Sequence, residues 1–261
     1  MGTVVSYSLR EAESATDGAQ ADGAAAHAVA VSALERAEAK LRWVDDVFST
    51  YKPRSPVSRL RRGEIELDAV PPEVAAVFEL CRTARDVSEG WFDPWRLPSG
   101  VDPTGLVKGW AAERALDVLK NAGVPAALIN AGGDIAAYGR PAPGQPWRIG
   151  IRHPLAADRL LLMVELDGPG AVATSGTYER GEHLIDPHTG EPANGLLAAT
   201  VVGLDLAFAD ALATALFVSG GALLERISRL AGYHGFTVSG DGVVRATRGL
   251  PVALKTAAQA A

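Results

Sequence analysis

The sequence AVATSGTYERGEHLIDPHTGEPANGLLAATVVGLDLAFADALAT occupies residues 171–214 and alternates between apolar segments and polar clusters. Its apolar segments 172–175 and 197–202 predict two short strands, and the apolar segment 210–218 predicts a helix. Three polar clusters lie among them: A-T-S-G-T at 173–177, H-L-I-D-P at 183–187 and A-D-A-L-A-T at 209–214. The small-residue turn at 173–177 can offer hydroxyls and backbone N–H groups to a polar ligand.

The carboxylate of Asp210 and the hydroxyl of Thr214 are four residues apart at the start of an apolar helix. At this spacing both side chains lie on one helical face, one turn from each other. Two oxygen ligands in this arrangement suit a hard divalent cation such as Mg²⁺. The residues alone also allow a simpler interpretation, in which Asp210 stabilises the first helical turn through the helix dipole.

Outside this stretch, helical patterns come first along the chain and strand patterns come later. Residues 28–47, 72–87, 107–121 and 222–230 predict helices, and residues 3–9, 126–130, 147–152 and 160–166 predict strands, followed by a hairpin of 236–238 with 243–246. Residues 11–26 predict a flexible loop and residues 49–62 an irregular segment. This order favours one compact α+β domain over residues 1–261, with N-terminal helices packed on clustered mixed or antiparallel strands.

Composition narrows the possible functions. The 261 residues can bury a sizeable core, and 48% hydrophobic with 21% charged residues is typical of a soluble domain. A net charge of −6 argues against a nucleic-acid surface, which needs a basic face. Cys81 is the only cysteine, so no internal disulfide can form, and its apolar helical setting predicts a buried structural thiol.

The polar clusters and several upstream motifs together resemble those of the FAD:protein FMN transferases, the ApbE-type flavin transferases. The patterns T-S-G, H-x-I-D-P-x-T-G and A-D-A-x-x-T occur in this order, after M-G-T at 1–3, F-S-T-Y at 48–51, G-W-F-D-P at 90–94, K-G at 108–109 and N-A-G-G-D at 130–134. The resemblance implies Mg²⁺-dependent (or Mn²⁺-dependent) transfer of FMN from FAD to a Ser or Thr hydroxyl of an acceptor protein, with release of AMP.

The resemblance also implies roles for individual residues. The expected FAD-binding residues are Met1, Tyr51, Trp91, Phe92, Asp93, Asp102, Lys108, Gly132, Gly133 and Ile185. The expected metal ligands are Gly105, Asp210 and Thr214. The expected catalytic residues are His183 and Asp186: the imidazole can take the proton of the attacking hydroxyl with Asp186 orienting it, or Asp186 can be the base itself.

Two positions depart from the family pattern. Many members read D-x-G-G where this chain has D-P-T-G at 102–105, and Pro103 stiffens the backbone that carries the expected metal contact of Gly105. Some relatives place a second carboxylate where this chain has Ala213, which leaves one acid fewer for the metal.

Two other functions remain open at this point: an FAD pyrophosphatase, in which water replaces the acceptor hydroxyl, and a flavin-binding or flavin-delivery protein without turnover. The intact pair of Asp210 and Thr214 favours catalysis over storage. No run approaches 18 apolar residues, so no transmembrane helix is predicted. The N-terminus shows no charged segment followed by an apolar core, which predicts a cytoplasmic protein, with the mature form of an exported protein as the alternative.

Overall fold

A computed structural model describes residues 3–10, 19–176 and 184–253 of the chain. The helices are α1 (Ala19–Phe48), α2 (Pro56–Arg61), a 3-10 turn (Leu67–Ala69), α3 (Pro72–Val87), α4 (Thr104–Asn121), α5 (Leu206–Val218) and α6 (Leu224–Ile227). The strands are β1 (Val5–Arg10), β2 (Ala126–Ala131), β3 (Asp134–Tyr138), β4 (Trp147–His153), β5 (Ala156–Leu166), β6 (Gly170–Gly176), β7 (Leu196–Gly203), β8 (His234–Ser239) and β9 (Val244–Ala246).

Seven strands form the main sheet in the order β1-β2-β3-β6-β7-β8-β9, and β4 and β5 form a separate hairpin. Each neighbouring pair in both sheets is antiparallel. The predicted α+β class with clustered antiparallel strands is therefore confirmed. None of the helices in the described part of the chain is both long enough and apolar enough to cross a membrane.

The alternation of side chains along the strands divides the core into two parts, one on each face of the main sheet. Ala171 and Ala173 of β6 point to the face covered by α1, α3, α4 and α5. Val172 of the same strand points to the opposite face, which is covered by Trp147, Ile149 and other residues of the β4–β5 hairpin. The molecule thus has three layers, with the main sheet in the middle.

Two predictions for the N-terminal half are wrong. Helix α1 begins at Ala19, inside the predicted 11–26 loop, because an alanine-rich segment favours helix without needing an apolar period. Residues 11–18 lie outside the described residues. The 49–62 segment, predicted to be irregular, contains α2, which begins where the Ser55 side chain accepts a hydrogen bond from the Ser58 N–H at 3.0 Å.

The start of α5 also differs from the prediction, and this difference concerns Asp210. The helix begins at Leu206, and Asp205 is its N-cap, accepting a hydrogen bond from the Phe208 N–H at 2.8 Å. Asp210 therefore lies in the second turn, where it cannot act as a helix cap. The predicted 222–230 helix is reduced to α6, Leu224–Ile227, whereas the terminal hairpin of β8 and β9 is confirmed. Cys81 is fully buried, as predicted.

Candidate functional site

Two buried carboxylates and one lysine form the centre of the candidate site. Lys108 of α4 places its Nζ atom 2.5 Å from Asp134 Oδ2 and 3.7 Å from Asp210 Oδ1. Asp134, the first residue of β3, is 1% exposed, and Asp210 of α5 is 4% exposed. Three elements that are far apart in sequence thus bring their charged groups to one point at the end of the main sheet.

The electrostatics of this cluster suit a bound cation. Burial raises the pKa of Asp210 well above its ordinary value, the neighbouring Asp134 raises it further, and Lys108 opposes the rise. A single ammonium thus faces two carboxylates from which water is largely excluded. Because burial disfavours the charged form of an acid, another positive charge here would stabilise both carboxylates in their ionised forms.

The A-T-S-G segment of β6 positions one of these carboxylates. The Thr174 N–H donates to Asp134 Oδ1 at 3.0 Å, and the Thr174 hydroxyl lies 2.9 Å from the hydroxyl of Thr200 on β7. Ser175, the next residue, points to the helical face of the sheet, where its Oγ lies 3.2 Å from Thr214 Oγ1. The backbone of Thr174 thus contacts Asp134, and the side chain of Ser175 contacts the predicted metal ligand Thr214.

The predicted metal ligand Gly105 lies beside Thr214 at the start of α4. A Cβ atom at Gly105 would lie 3.8 Å from Thr214 Oγ1 and 3.2 Å from Phe92 Cε2. A side chain at Gly105 would therefore press on the Phe92 ring, whereas its contact with Thr214 would be an ordinary one. Gly105 lies on α4, beside Thr214 of α5, and Asp210 lies one turn before Thr214 on α5.

The side chains in this region offer oxygen ligands: the carboxylates of Asp134 and Asp210 and the hydroxyls of Ser175 and Thr214. Oxygen ligands suit hard cations such as Mg²⁺ and Mn²⁺, and Mg²⁺ is commonly held by one or two carboxylates with water and substrate phosphates. Within residues 3–10, 19–176 and 184–253, no three His, Cys, Asp or Glu side chains form a metal-binding group. The oxygen atoms of these four side chains fit a cation that keeps part of its coordination for water or phosphate.

Asp134 and Ser175 are the site residues that sequence reasoning did not select. Both belong to motifs that were recognised, N-A-G-G-D at 130–134 and T-S-G at 174–176. In the first motif the resemblance implies flavin-binding roles for Gly132 and Gly133 but names no role for the acid that ends it.

Residues 185–188 of the H-x-I-D-P-x-T-G motif pack beside the predicted flavin-binding loop. Asp186 Oδ1 accepts the His188 N–H at 2.8 Å and lies 3.2 Å from His188 Nδ1. The His188 ring contacts the Trp91 ring edge-on, with centroids 4.5 Å apart. Ile185 forms an isolated antiparallel bridge with Pro192, which closes this turn. Asp186 is therefore paired with His188, while His183 lies outside the described residues.

The other predicted flavin-binding residues differ in how exposed their side chains are and in what these side chains contact. Phe92 is buried, whereas Tyr51 is 95% exposed and presents its ring to solvent. Asp93 accepts the Trp95 N–H at 2.9 Å and borders an open cavity of 690 Å³. Asp102 accepts the Thr104 N–H at 2.9 Å at the beginning of α4, and it lies 3.9 Å from an Arg61 nitrogen.

The glycine turn between β2 and β3 lies at the same end of the sheet. Gly132 and Gly133 border a second cavity, of 320 Å³, together with Asn130 and Thr174. Gly132 has a φ of +62°, and a Cβ atom there would come within 2.0 Å of Thr3 Oγ1. The N-terminal segment therefore packs against this turn, while Met1 lies outside the described residues.

The three-layer arrangement is that of the ApbE flavin transferases. An ApbE protein from Thermotoga maritima has the same fold over 95% of this chain and 94% of its own, with a TM-score of 0.78 and 24% identity. The flavin transferase ApbE from Vibrio cholerae matches over 95% of this chain and 94% of its own, with a TM-score of 0.76 and 22% identity. These similarities establish the fold.

The family assignment comes from the sequence. The ApbE family model matches residues 1–99 and 96–234, and the chain therefore belongs to the ApbE family. Two relatives named FAD:protein FMN transferase, from Vibrio cholerae and Salmonella typhimurium, are 36% and 30% identical over 129 and 152 residues. These regions make up 46% and 54% of this chain, and they span 39% and 43% of the relatives' own lengths.

Proposed function

We propose that this protein transfers FMN from FAD to a Ser or Thr hydroxyl of an acceptor protein and releases AMP. The main support is the pair of buried carboxylates, Asp134 and Asp210, held by Lys108 beside the hydroxyls of Ser175 and Thr214. Acids at this depth lower stability unless positive charge and hydrogen bonds compensate them, and a bound cation would supply such a charge. The names of the relatives from Vibrio cholerae and Salmonella typhimurium support the same reaction.

The proposed reaction is a substitution at phosphorus. The hydroxyl oxygen of the acceptor bonds to the FMN-side phosphorus of FAD, and the bond from that phosphorus to the bridging oxygen breaks. The hydroxyl proton passes to a base, and AMP leaves with the bridging oxygen. Such a transfer depends mainly on positioning and on neutralisation of phosphate charge, so the enzyme needs no nucleophile of its own.

The residues of the site have separate parts in this reaction. Lys108 and the backbone N–H groups at the start of α4 offer positive charge to the pyrophosphate. The rings of Trp91 and Phe92 offer flat apolar surface to the isoalloxazine or the adenine. Asp134, Asp210, Thr214 and the Gly105 carbonyl would hold Mg²⁺, which when bound supplies charge that neutralises the pyrophosphate.

The base is His183 or Asp186. If His183 accepts the proton, His183→Ala should slow transfer by about 10²–10⁴-fold and leave FAD affinity nearly unchanged. Asp186 is already paired with His188, so Asp186→Asn would disturb that turn as well as any proton transfer. Transfer rates at several pH values for both variants would assign the base, because only loss of the base removes the corresponding pH dependence.

The test of the proposed function is intact-mass measurement of candidate acceptor proteins after incubation with the full chain, FAD and Mg²⁺. The expected result is an acceptor heavier by one FMN phosphoester and an equal amount of AMP. The Asp210→Asn variant is the matched control, since it keeps the side-chain shape and removes the charge. FMN and AMP without modified acceptor would assign an FAD pyrophosphatase instead. Saturable quenching of flavin fluorescence without any product would assign a flavin-binding protein.

A further inference from the structure

Helices α4 and α5 are joined by two reciprocal hydrogen bonds. The Gly109 N–H of α4 donates to Asp210 Oδ2 of α5 at 3.3 Å, and the Leu206 N–H of α5 donates to Glu113 Oε1 of α4. In each bond a side chain of one helix accepts from the backbone of the other. The two bonding residues of each helix are four residues apart, so the two bonds are one turn apart. The residue that comes first on α4 bonds to the residue that comes second on α5, and the helices therefore run antiparallel.

The two helices pack so closely at Gly109 that no further side-chain atom fits between them. A Cβ atom at Gly109 would lie 2.3 Å from the Leu206 carbonyl oxygen and 2.8 Å from the Ala207 nitrogen. The backbone of α5 thus rests directly on α4 at Gly109. A sliding movement of α5 along its axis would break both reciprocal hydrogen bonds and also move Asp210 relative to Lys108.

Two acidic side chains accept hydrogen bonds from backbone N–H groups that have no partner within α5, at the start of this helix. The two acids belong to different parts of the chain. Asp205 caps the helix from within its own segment, through the Phe208 N–H, and accepts a hydrogen bond from the Tyr233 hydroxyl. Glu113 accepts from the backbone N–H of Leu206 but belongs to α4. Both satisfy groups that a helix leaves unpaired. Only the Glu113 contacts also tie α5 to the helix that carries Lys108.

We propose that Glu113 is a positioning residue for the cation site of the proposed function. It holds the start of α5 on α4, so that Asp210 and Thr214, one and two turns further along, face Lys108 and Asp134. The inference rests on the proposed function for the identity of the cation, whereas the positioning itself is a property of the protein alone. Residues that orient metal ligands without touching the metal typically change metal affinity by about 10–100-fold when they are removed.

The first experiment examines the metal-free full chain and therefore does not depend on the proposed reaction. The amide resonance of Gly109 reports the hydrogen bond to Asp210, because that bond sets its chemical shift and its hydrogen-exchange rate. Glu113→Ala is expected to shift this resonance and to accelerate its exchange, one turn away from the substitution. Glu113→Gln keeps an acceptor for the Leu206 N–H and should leave the Gly109 resonance near its original position.

The control separates positioning from loss of stability. Asp205→Ala removes a cap from the same helix end without cutting the link to α4, so its melting temperature should fall while the Gly109 resonance stays in place. If Glu113→Ala folds and leaves the Gly109 resonance unchanged, Glu113 is only a cap and the proposal is wrong. If Glu113→Ala does not fold, the Glu113→Gln variant tests the proposal instead. An unmoved Gly109 resonance in Glu113→Gln supports the proposal, and a shift as large as that of an unfolded control contradicts it.

The second experiment measures Mg²⁺ affinity by calorimetry in the presence of FAD. Glu113→Ala should weaken Mg²⁺ binding by about 10–100-fold, and Glu113→Gln and Asp205→Ala should remain within about threefold of the parent. Equal affinities for the parent and Glu113→Ala would overturn the role at the cation site. If the parent itself binds no Mg²⁺, the metal dependence in the proposed function fails, and the Gly109 resonance still decides whether Glu113 positions α5.

Discussion

The two faces of the main sheet are buried by different kinds of contact. The hairpin face is closed by apolar side chains, such as Trp147, Ile149, Val164 and Leu166. The helical face also has a large apolar core, but it encloses Asp134 and Asp210. Among the described residues these two are the buried acidic side chains, and both lie at one end of the sheet.

The hairpin face therefore contributes mainly to stability, and the helical face also carries the candidate site. Apolar burial stabilises a fold without directional requirements, so the hairpin face tolerates many sequences of similar volume. Buried carboxylates lower stability unless charge and hydrogen bonds compensate them, and here Lys108 and the N–H groups of Gly109 and Thr174 do so only in part. The helical face therefore carries a cost in stability at the buried acids that the hairpin face does not carry.

The largest effect is expected from Asp210→Asn, which should reduce transfer by about 10³-fold or more, since a metal contributes several kcal/mol to such a transition state. The same variant should melt at an equal or higher temperature at pH 7 without metal, because burial raises the pKa of Asp210 and the parent carboxyl takes up a proton on folding at a cost that the amide avoids. Activity assays and melting curves would check this. A lower melting temperature with normal Mg²⁺-dependent turnover would contradict the distinction between the two faces.

On the hairpin face the opposite result is expected. Leu166→Ala removes a buried side chain from β5 and should lower the free energy of unfolding by about 2–5 kcal/mol. Turnover per folded molecule should stay near that of the parent, because Leu166 touches the apolar layer and not the acidic cluster. Denaturant unfolding and activity at low temperature would check both statements. A strong loss of activity in fully folded protein would show that the hairpin face also takes part in the reaction.

A comparison of two glycines within helices would test the difference between a tightly packed and an open helix surface. Gly109→Ala should destabilise the protein by about 1–3 kcal/mol, since the new methyl group meets the backbone of α5. Gly23→Ala is the matched control: it also lies within a helix, nothing lies within 4 Å of its Cβ position, and it should stabilise by about 0.5–1 kcal/mol. Equal melting temperatures for the two variants would contradict the close contact of α4 with α5.

Within a single pH unit, the smallest effect is expected from the titration of one carboxyl, that of Glu113. Burial raises the pKa of Glu113 to about 7 and the charge of Asp205 adds to the rise, whereas the Leu206 N–H and Arg114 oppose it. The folded state therefore keeps a proton that the unfolded state loses, so this stability is fully present below about pH 4.5 and is lost as pH rises towards 7.

The measurable quantity is the difference in unfolding free energy between the parent and Glu113→Gln across this range. The parent should lose stability relative to the variant by at most about 1.4 kcal/mol per pH unit. Urea unfolding at pH 5, 6, 7 and 8 would measure this difference in unfolding free energy. The control for a general change in charge is Glu225→Gln, at an exposed position of α6. Parallel curves for the parent and Glu113→Gln would show that the Glu113 carboxyl titrates normally.

The sequence by itself determined the helices and strands that depend on local periodicity, including α3, the β8–β9 hairpin and the alternating strands of the main sheet. It also placed Asp210 and Thr214 on one helical face, because a spacing of four residues has that consequence in any α-helix. The motifs then indicated the family. The missing apolar period was misleading where alanine propensity extends α1 to Ala19, and the predicted start of α5 at Asp210 was wrong because the helix is capped by Asp205.

Only the tertiary structure decided which side chains meet. Asp134 reaches the site because β3 and β6 pair side by side, so that Thr174 binds it across 40 residues of sequence. Glu113 meets Leu206 across 93 residues because α4 and α5 cross at a glycine. Such contacts follow from strand register and from the fit between helix surfaces. Neither of these leaves a periodic signal in the residues concerned, and a single sequence therefore cannot reveal them.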